Sequence, residues 1–163
     1  MLFRSSMPRV AVEAVVEAPF GAVRVITTHL EYYSAAHRAA QIDRLKEVHD
    51  EALAARLDHD EPDFFHAPAR PAGAIICGDF NLRPEDPLHE RMLRHGFIDA
   101  WQALHPGTPH PHTFRLYERD PGESPYCCDY IFVTPDLAPR LKSIRVDGAT
   151  QASDHQPVIL ELA

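Results

Sequence analysis

The chain has 163 residues, of which 45% are hydrophobic and 25% are charged, a balance that is typical of globular proteins and excludes a collagen-like or disordered chain. The net charge of −8 disfavours long polyanionic partners such as duplex nucleic acid, because these are usually held on basic surfaces. No stretch approaches the roughly 18 apolar residues that a membrane span requires, and residues 1–6 lack the apolar segment of a signal peptide. We therefore expect one soluble, cytoplasmic domain over residues 1–163.

The N-terminal region predicts a β-hairpin followed by a long helix. Residues 9–17 are rich in β-branched side chains and roughly alternate between apolar and polar, as a strand does. The turn sequence Ala-Pro-Phe-Gly follows, and residues 22–28 predict the second strand. Ser34 suits a helix N-cap, and residues 35–57 are rich in helix-forming residues. The apolar side of this helix carries Ile42, Leu45, Val48 and Ala52.

The second half predicts shorter elements. Residues 58–73 and 105–126 are rich in proline and predict loops. Between them, residues 74–77 predict a buried strand, and Asp86 suits the N-cap of a short helix that ends at Gly96. Phe97 and Trp101 are predicted to be core residues. Further strands are predicted at residues 129–133, 141–146 and 157–162. This mixed order of strands and helices predicts an α/β or α+β fold class with a mixed sheet.

Four short segments place polar residues at strand ends, where a rigid sheet can project them into one cleft. They are Thr28-His29-Leu30, Gly78-Asp79-Phe80-Asn81, the strand from Asp129 to Val133, and Ser153-Asp154-His155-Gln156-Pro157-Val158. Each taken singly has another interpretation, since an aspartate after a strand is often a cap or turn residue and a histidine is often an ordinary surface or core residue.

Taken together and in this order, the four segments resemble the endonuclease/exonuclease/phosphatase family. The sequences Gly-Asp-Phe-Asn and Ser-Asp-His-Gln-Pro-Val are its most specific signatures, and His-Thr-Phe at residues 112–114 also fits. The resemblance runs from about residue 9 to the C-terminus. It implies half of a four-layered α/β/β/α sandwich and a metal-dependent phosphoesterase that uses an activated water. A non-catalytic binding or regulatory protein that retains the fold is the alternative.

The resemblance also implies a role for each matched residue. Asp79 would orient or deprotonate the attacking water, and Asn81 would hold that water or a phosphoryl oxygen. His155 would stabilise charge on the phosphate, with Asp129 accepting its other ring N–H. His29 would sit near the leaving oxygen as an acid or hydrogen-bond donor. The expected metal ligands are Asp154, Asp79 and Asn81, and these oxygen donors suit Mg²⁺, with Mn²⁺ possible.

Members of this family usually run to about twice this sequence, and the resemblance implies a first half with an asparagine and a glutamate metal ligand. Residues 1–28 have no counterpart of either, so we expect a C-terminal half, by truncation or naturally, with impaired or no activity alone. One sheet face, which the absent sheet would cover, should then be apolar and exposed. We expect a homodimer through that face. The substrate is a phosphate ester that the sequence does not identify: nucleic acid, nucleotide, inositol phosphate and a lipid head group all fit.

Other candidate residues carry weaker signals. Arg38 and Gln41 lie three apart on the long helix, where they are phosphate contacts or, as we prefer, solvated surface residues. His105, His110 and His112 suggest a zinc hydrolase, but their spacing is not that of a zinc site, so we predict loop surface. The three cysteines have no Cys-x-x-Cys spacing, and Cys127 and Cys128 are adjacent, so we expect reduced, buried thiols.

Overall fold

The computed structural model describes residues 8–57, 70–117 and 124–163. In these residues it contains a five-stranded mixed sheet, a two-stranded sheet and three α-helices, so the predicted fold class is confirmed. In chain order the elements are β1 (Ala11–Ala18), β2 (Gly21–His29), α1 (Ala35–Leu57), β3 (Ala74–Asp79), α2 (Pro87–Arg94), β4 (Ile98–Asp99), α3 (Ala100–Leu104), β5 (Asp129–Val133), β6 (Leu141–Val146) and β7 (Val158–Leu162).

The large sheet has the strand order β1-β2-β3-β5-β4. Strands β1 and β2 form the predicted hairpin, with Ala18 opposite Gly21 across a two-residue turn. Strand β3 runs parallel to β2, and helix α1 makes the crossover between them, as a parallel pair requires. Strands β5 and β4 then add in antiparallel orientation. Strands β6 and β7 form the separate antiparallel pair.

The main core lies between the sheet and helix α1. Ile42 and Leu45 of the helix are buried against Ile26, Ile76 and Phe132 of the sheet. Val48 packs at the edge of this core and Ala52 is buried, so the predicted apolar side of the helix faces inward as expected. Burial of one such aliphatic side chain stabilises the fold by about 1.5–3 kcal/mol. This core fixes the sheet whose ends carry the polar residues.

The opposite face of the sheet is only partly covered. Val133 and Leu137 pack with Leu141 and Leu160 of the smaller sheet at one end of this face. On the edge strand β1 of the same face, Val12 and Val16 are 57% and 48% exposed. Val12 aligns across the strands with Thr27, Cys77 and Ile131, none of which is buried. The structure therefore leaves an apolar surface where an exposed sheet face was expected.

The sequence predictions missed β4 and α3. The two-residue strand and five-residue helix are too short to produce a periodic pattern, and helix α3 begins because the Asp99 carboxylate accepts hydrogen bonds from the backbone N–H groups of Trp101 and Gln102. Phe97 is buried as predicted, but Trp101 is only half-buried.

Helix α2 begins after the predicted N-cap Asp86, whose side chain accepts from the Leu88 N–H. Of the predicted loops, residues 58–69 and 118–123 lie outside the described residues. None of the helices in the described ranges is long and apolar enough to cross a membrane.

Candidate active site

Three of the predicted site residues lie side by side at one edge of the large sheet. His29 ends β2 and aligns with Asp79 at the end of β3, and Asp79 aligns with Asp129 at the start of β5. Neighbours in register project their side chains from the same face of a sheet. The two residues of each neighbouring pair are 50 positions apart in the chain, so the sheet brings together residues that are distant in sequence.

The close approach of β2 and β3 depends on Gly78. Its φ angle is +135°, and a Cβ atom at this position would lie 1.9 Å from the backbone oxygen of Thr28. No other residue fits there without moving a strand. This explains in physical terms why a glycine precedes Asp79.

The segment after Gly78 holds its two polar side chains rigidly. The backbone N–H of Asn81 donates to Asp79 Oδ1 at 2.8 Å, and the Asn81 side-chain amide donates to the Leu30 carbonyl oxygen at 2.8 Å. Phe80 is fully buried between them, and Asn81 adopts a left-handed φ of +51°, which asparagine tolerates better than most residues. Both side chains are thus oriented before any ligand binds.

His155 approaches from the segment that precedes β7 and is held by Asp129. Its Nδ1 lies 2.9 Å from Asp129 Oδ2, so the predicted hydrogen bond is present. The Thr113 hydroxyl donates to the same carboxylate oxygen at 2.6 Å, and the Phe114 ring lies 4.5 Å from the imidazole between ring centroids. These contacts assign the proton to Nδ1 and direct Nε2 towards Asp79.

Thr113 is a site residue that the sequence analysis missed. It is buried, and its hydroxyl oxygen also accepts from the backbone N–H groups of Cys128 and Asp129 at 3.1 and 3.2 Å. The resemblance at His-Thr-Phe was the available signal, but it gave no role for the threonine. The neighbouring His112 is exposed.

The Asp79 carboxylate lies between two imidazoles. Its Oδ2 is 3.3 Å from His29 Nε2 and 3.8 Å from His155 Nε2. Burial raises the pKa of Asp79 above its ordinary value, and the negative charge of Asp129 raises it further. The hydrogen bond from the Asn81 N–H and the charges of the two histidines lower this pKa, but they do not cancel the increase. A carboxylate with a raised pKa is a stronger base, as proton abstraction requires.

The pKa of His155 is also raised. Burial alone lowers it, but the hydrogen bond that Nδ1 donates to Asp129 and the charges of Asp129, Asp79 and Asp154 outweigh burial. The cationic form is therefore favoured in the folded protein. Its contribution to stability is present below the unfolded pKa and is lost as the pH rises through the folded pKa.

We expect a histidine NMR titration in metal-free buffer to give a His155 pKa above 6.5, and the substitution Asp129→Asn to lower it. The reason is that asparagine removes the nearest negative charge. The substitution Asp43→Asn, at the α1–α2 surface, is the matched control and should leave the His155 titration unchanged. Equal His155 titrations in the wild type and in Asp129→Asn would contradict the pairing.

The oxygen donors around Asp79 fit a hard divalent cation. Asp79 and Asp154 line the same cleft, and Asn81 retains its amide oxygen because its amide nitrogen is used by Leu30. Asp79, His155 and Cys128 also lie close enough to share an ion. However, burial raises the pKa of the Cys128 thiol strongly, so it is a poor thiolate ligand. The three free cysteines are buried or partly buried, as predicted.

A second group of close side chains lies away from this cleft. His89 Nε2 and His110 Nε2 lie 2.7 and 2.8 Å from the same oxygen, Oδ2 of Asp99, and all three side chains are at most 6% exposed. The prediction that His110 is a loop-surface residue is therefore wrong. His105 is half-buried and His112 exposed, so these two do not join the group. The Asp99 carboxylate already accepts hydrogen bonds at both oxygens, as a structural element does.

Arg38 and Gln41 are not solvated surface residues as preferred above. Arg38 donates to the backbone oxygens of Glu31 and Tyr32, and the Gln41 side-chain oxygen accepts from the Glu31 N–H at 2.8 Å. Both residues are half-buried. They hold the loop that follows β2, and with it the mouth of the cleft.

Comparisons with known proteins place this geometry in context. A search of curated protein sequences finds no match. Among solved structures, an endonuclease/exonuclease/phosphatase protein from Bacteroides vulgatus has a TM-score of 0.70 at 22% identity, covering 95% of this chain and 55% of its own. A 3′ phosphatase from Neisseria bound to a product DNA hairpin gives 0.63 at 21% identity, covering 97% and 72%.

A mannosyl-6-phosphatase from Bacteroides thetaiotaomicron gives a TM-score of 0.66 at 19% identity, covering 99% of this chain and 59% of its own. The chain thus spans little more than half the length of two of these three structures. At sequence identities of 19–22%, the similarity to these structures establishes the fold alone. A family profile described as the Endonuclease/Exonuclease/phosphatase family matches residues 7–155, which is most of the sequence. The chain belongs to the endonuclease/exonuclease/phosphatase family.

Proposed function

We propose that this chain carries a metal-dependent phosphoesterase site that hydrolyses a phosphodiester or phosphomonoester with an activated water. Membership of the family supports hydrolysis of phosphate esters. The observation that carries the proposal is the Asp79 carboxylate, which lies within 3.8 Å of two imidazoles, one of them fixed by Asp129. Such a set of a base, acids and an orienting carboxylate is what in-line displacement at phosphorus needs.

In this mechanism the water oxygen forms a bond to phosphorus as the bond from phosphorus to the leaving oxygen breaks. Asp79 takes the proton of the water, and its raised pKa makes it a stronger base for this transfer. Asn81 orients the water or a phosphoryl oxygen. Cationic His155 stabilises the charge on the phosphoryl oxygens, and the more exposed His29 donates a proton or a hydrogen bond to the leaving oxygen.

Asp154, Asp79 and Asn81 would hold the metal ion, Mg²⁺ or Mn²⁺. The ion would supply further neutralisation of the phosphate charge. Within the described residues, the carboxylates lining the cleft are Asp79 and Asp154. Mg²⁺ keeps its waters unless several carboxylates or phosphates assist, so this ligand set binds it weakly.

A cytoplasmic location and one domain over residues 1–163 stay predictions.

The weak ligand set predicts slow turnover by the 163-residue chain. With bis-p-nitrophenyl phosphate and Mg²⁺ or Mn²⁺ in the millimolar range, we expect a rate well below the ordinary enzymatic range of about 1–10³ per second. The rate should rise with metal concentration without saturating early. Release of p-nitrophenol, followed by absorbance with and without EDTA, measures both effects.

Two results of this assay would change the proposal. Turnover at an ordinary enzymatic rate would contradict the predicted impairment. A rate that equals the uncatalysed one at every metal concentration, together with binding of inorganic phosphate, would favour the alternative of a non-catalytic binding protein.

The exposed sheet face also supports a homodimer. Val12 and Val16 project from β1 on the same side as the partly buried Ile75, and both are about half exposed. An exposed apolar patch larger than a few hundred Å² is rare on a soluble monomer. A second copy of the same face would cover it about a twofold axis, with an interface of at least about 1,600 Å².

Sedimentation velocity at micromolar concentration should give a dimer, and Val16→Glu should convert it to a monomer. Val15 provides the matched control, since it is 50% exposed on the same strand but projects from the opposite face. Val15→Glu should leave the dimer intact. A well-behaved wild-type monomer that binds no hydrophobic dye would contradict the dimer.

A further inference from the structure

Two tyrosines at the mouth of the candidate active site are exposed. Tyr32 and Tyr33 are 49% and 61% exposed, and their rings meet edge to face with centroids 5.1 Å apart. Both line the cleft of about 300 Å³ that contains His29 and Asp79. Large aromatic side chains are mostly buried in globular proteins. Tyr32 and Tyr33 contribute little to the core and lie beside the reacting groups, which indicates that they contact a ligand.

The loop that carries these tyrosines is held in one conformation. Glu31 is fully buried, and its carboxylate accepts from the Tyr33 N–H at 2.8 Å. Arg38 and Gln41 bind the backbone of the same loop from helix α1. Ordering a loop costs conformational entropy, and here the result is a fixed aromatic surface beside the site.

A second groove of about 650 Å³ begins where the cleft ends. Tyr32, Tyr33, Asn81 and Tyr126 line both spaces, so the groove adjoins the cleft. Arg83 also lines the groove, and its guanidinium lies over the Tyr126 ring at 4.0 Å from the ring centroid. The groove therefore presents three aromatic rings and a planar cation, starting directly beside Asn81.

We propose that this groove binds the base of a nucleotide whose phosphate lies against Asp79 and His155. This inference rests on the proposed function of that site. Planar bases stack on tyrosine rings and on guanidinium groups, and stacking accepts any base because each has an aromatic face. The volume lies in the range of about 300–1,000 Å³ that is usual for small-molecule sites. The net charge of −8 disfavours a longer polyanion and favours a mononucleotide or a short ester.

The test compares the dissociation constants of adenosine 5′-monophosphate, ribose 5-phosphate, mannose 6-phosphate and adenosine by calorimetry with the full chain and Mg²⁺. The nucleotide should bind at least about fivefold more tightly than ribose 5-phosphate. A factor of about five corresponds to the smallest stacking free energy of a base on an aromatic side chain. The substitution Tyr33→Leu should weaken nucleotide binding more than ribose 5-phosphate binding and so remove most of this difference. The matched control is Tyr117→Leu. Tyr117 is 46% exposed, donates a hydrogen bond to the Gly148 carbonyl oxygen and lines neither the cleft nor the groove.

Equal binding of the nucleotide and ribose 5-phosphate would overturn the base site. Tighter binding of mannose 6-phosphate than of the nucleotide would also overturn it, because the tyrosine rings would then be a sugar site. An equal effect of Tyr33→Leu and Tyr117→Leu on nucleotide binding would also overturn it. Failure of the phosphate site has a different signature. Adenosine would then bind as tightly as the nucleotide, with sensitivity to Tyr33→Leu, while ribose 5-phosphate would not bind.

Discussion

Replacing Asp79 with asparagine is expected to reduce phosphate-ester hydrolysis by at least about 10²-fold, which is the lower end of what a general base contributes. Asparagine retains an oxygen that can accept from the Asn81 N–H, so the geometry of the segment is preserved. It cannot take a proton from water. Initial rates at fixed Mg²⁺ concentration measure the loss.

The same substitution should not lower the stability of the fold. The pKa of Asp79 is raised, so the charged carboxylate is disfavoured in the folded protein at neutral pH. Removing that charge therefore leaves the free energy of unfolding unchanged or slightly increases it, as expected of a residue retained for function. Asp43→Asn is the matched control and should retain full activity. A large loss of stability in Asp79→Asn would make Asp79 a structural residue and contradict its role as base.

Replacing Asp99 with asparagine is expected to destabilise the fold by about 2–4 kcal/mol, because a buried charge-assisted network loses its acceptor. The side-chain oxygen of asparagine can still cap helix α3, but its amide nitrogen would face the N–H groups of His89 and His110. Urea unfolding at neutral pH measures the change. Asp43→Asn is again the control, since Asp43 pairs with Arg91 and His95 at the surface and is 36% exposed. Its loss should cost at most about 1 kcal/mol.

The pH dependence of stability offers a second readout of the same network. Burial opposes ionisation of Asp99, but its hydrogen bonds with His110 and His89 lower its pKa from 3.8 to about 2. A lowered carboxyl pKa contributes stability that is present above the unfolded value and is lost as the pH falls towards the folded value. Wild-type stability should therefore fall between about pH 4 and pH 2 by a step that Asp99→Asn lacks. Equal acid sensitivity of the two proteins would contradict the network.

The parts of the fold that were predictable are those with long patterns or specific chemistry. Helix α1 has a buried side that repeats through Ile42 and Leu45, and Asp86 begins α2 with a recognisable cap. The strand-end residues were found because polar groups follow apolar runs. Their alignment required the parallel pairing of β2 and β3, which no local pattern specifies.

The residues that were missed act through contacts between distant segments. Thr113 reaches Asp129 from a proline-rich loop, and His110 reaches His89 and Asp99 from the same loop. Local sequence predicts such a loop to be exposed, because it has no hydrophobic period. Arg38 and Gln41 were assigned to the solvent because polar residues on a helix usually face it. Instead, the loop after β2 accepts a hydrogen bond from Arg38 and donates one to the Gln41 side-chain oxygen. Tertiary contacts override local preference at these positions.

Hydrolysis in ¹⁸O-labelled water tests the central claim most directly, since the claim is that Asp79 activates a water for attack at phosphorus. Wild-type protein, Mg²⁺ and a phosphodiester are incubated over many hours, and the products are analysed by mass spectrometry. We predict label in the phosphate product, none in the released alcohol, and a yield that Asp79→Asn reduces to the level without protein. Label in the alcohol, or the same yield of labelled phosphate from wild type and Asp79→Asn, would contradict the account.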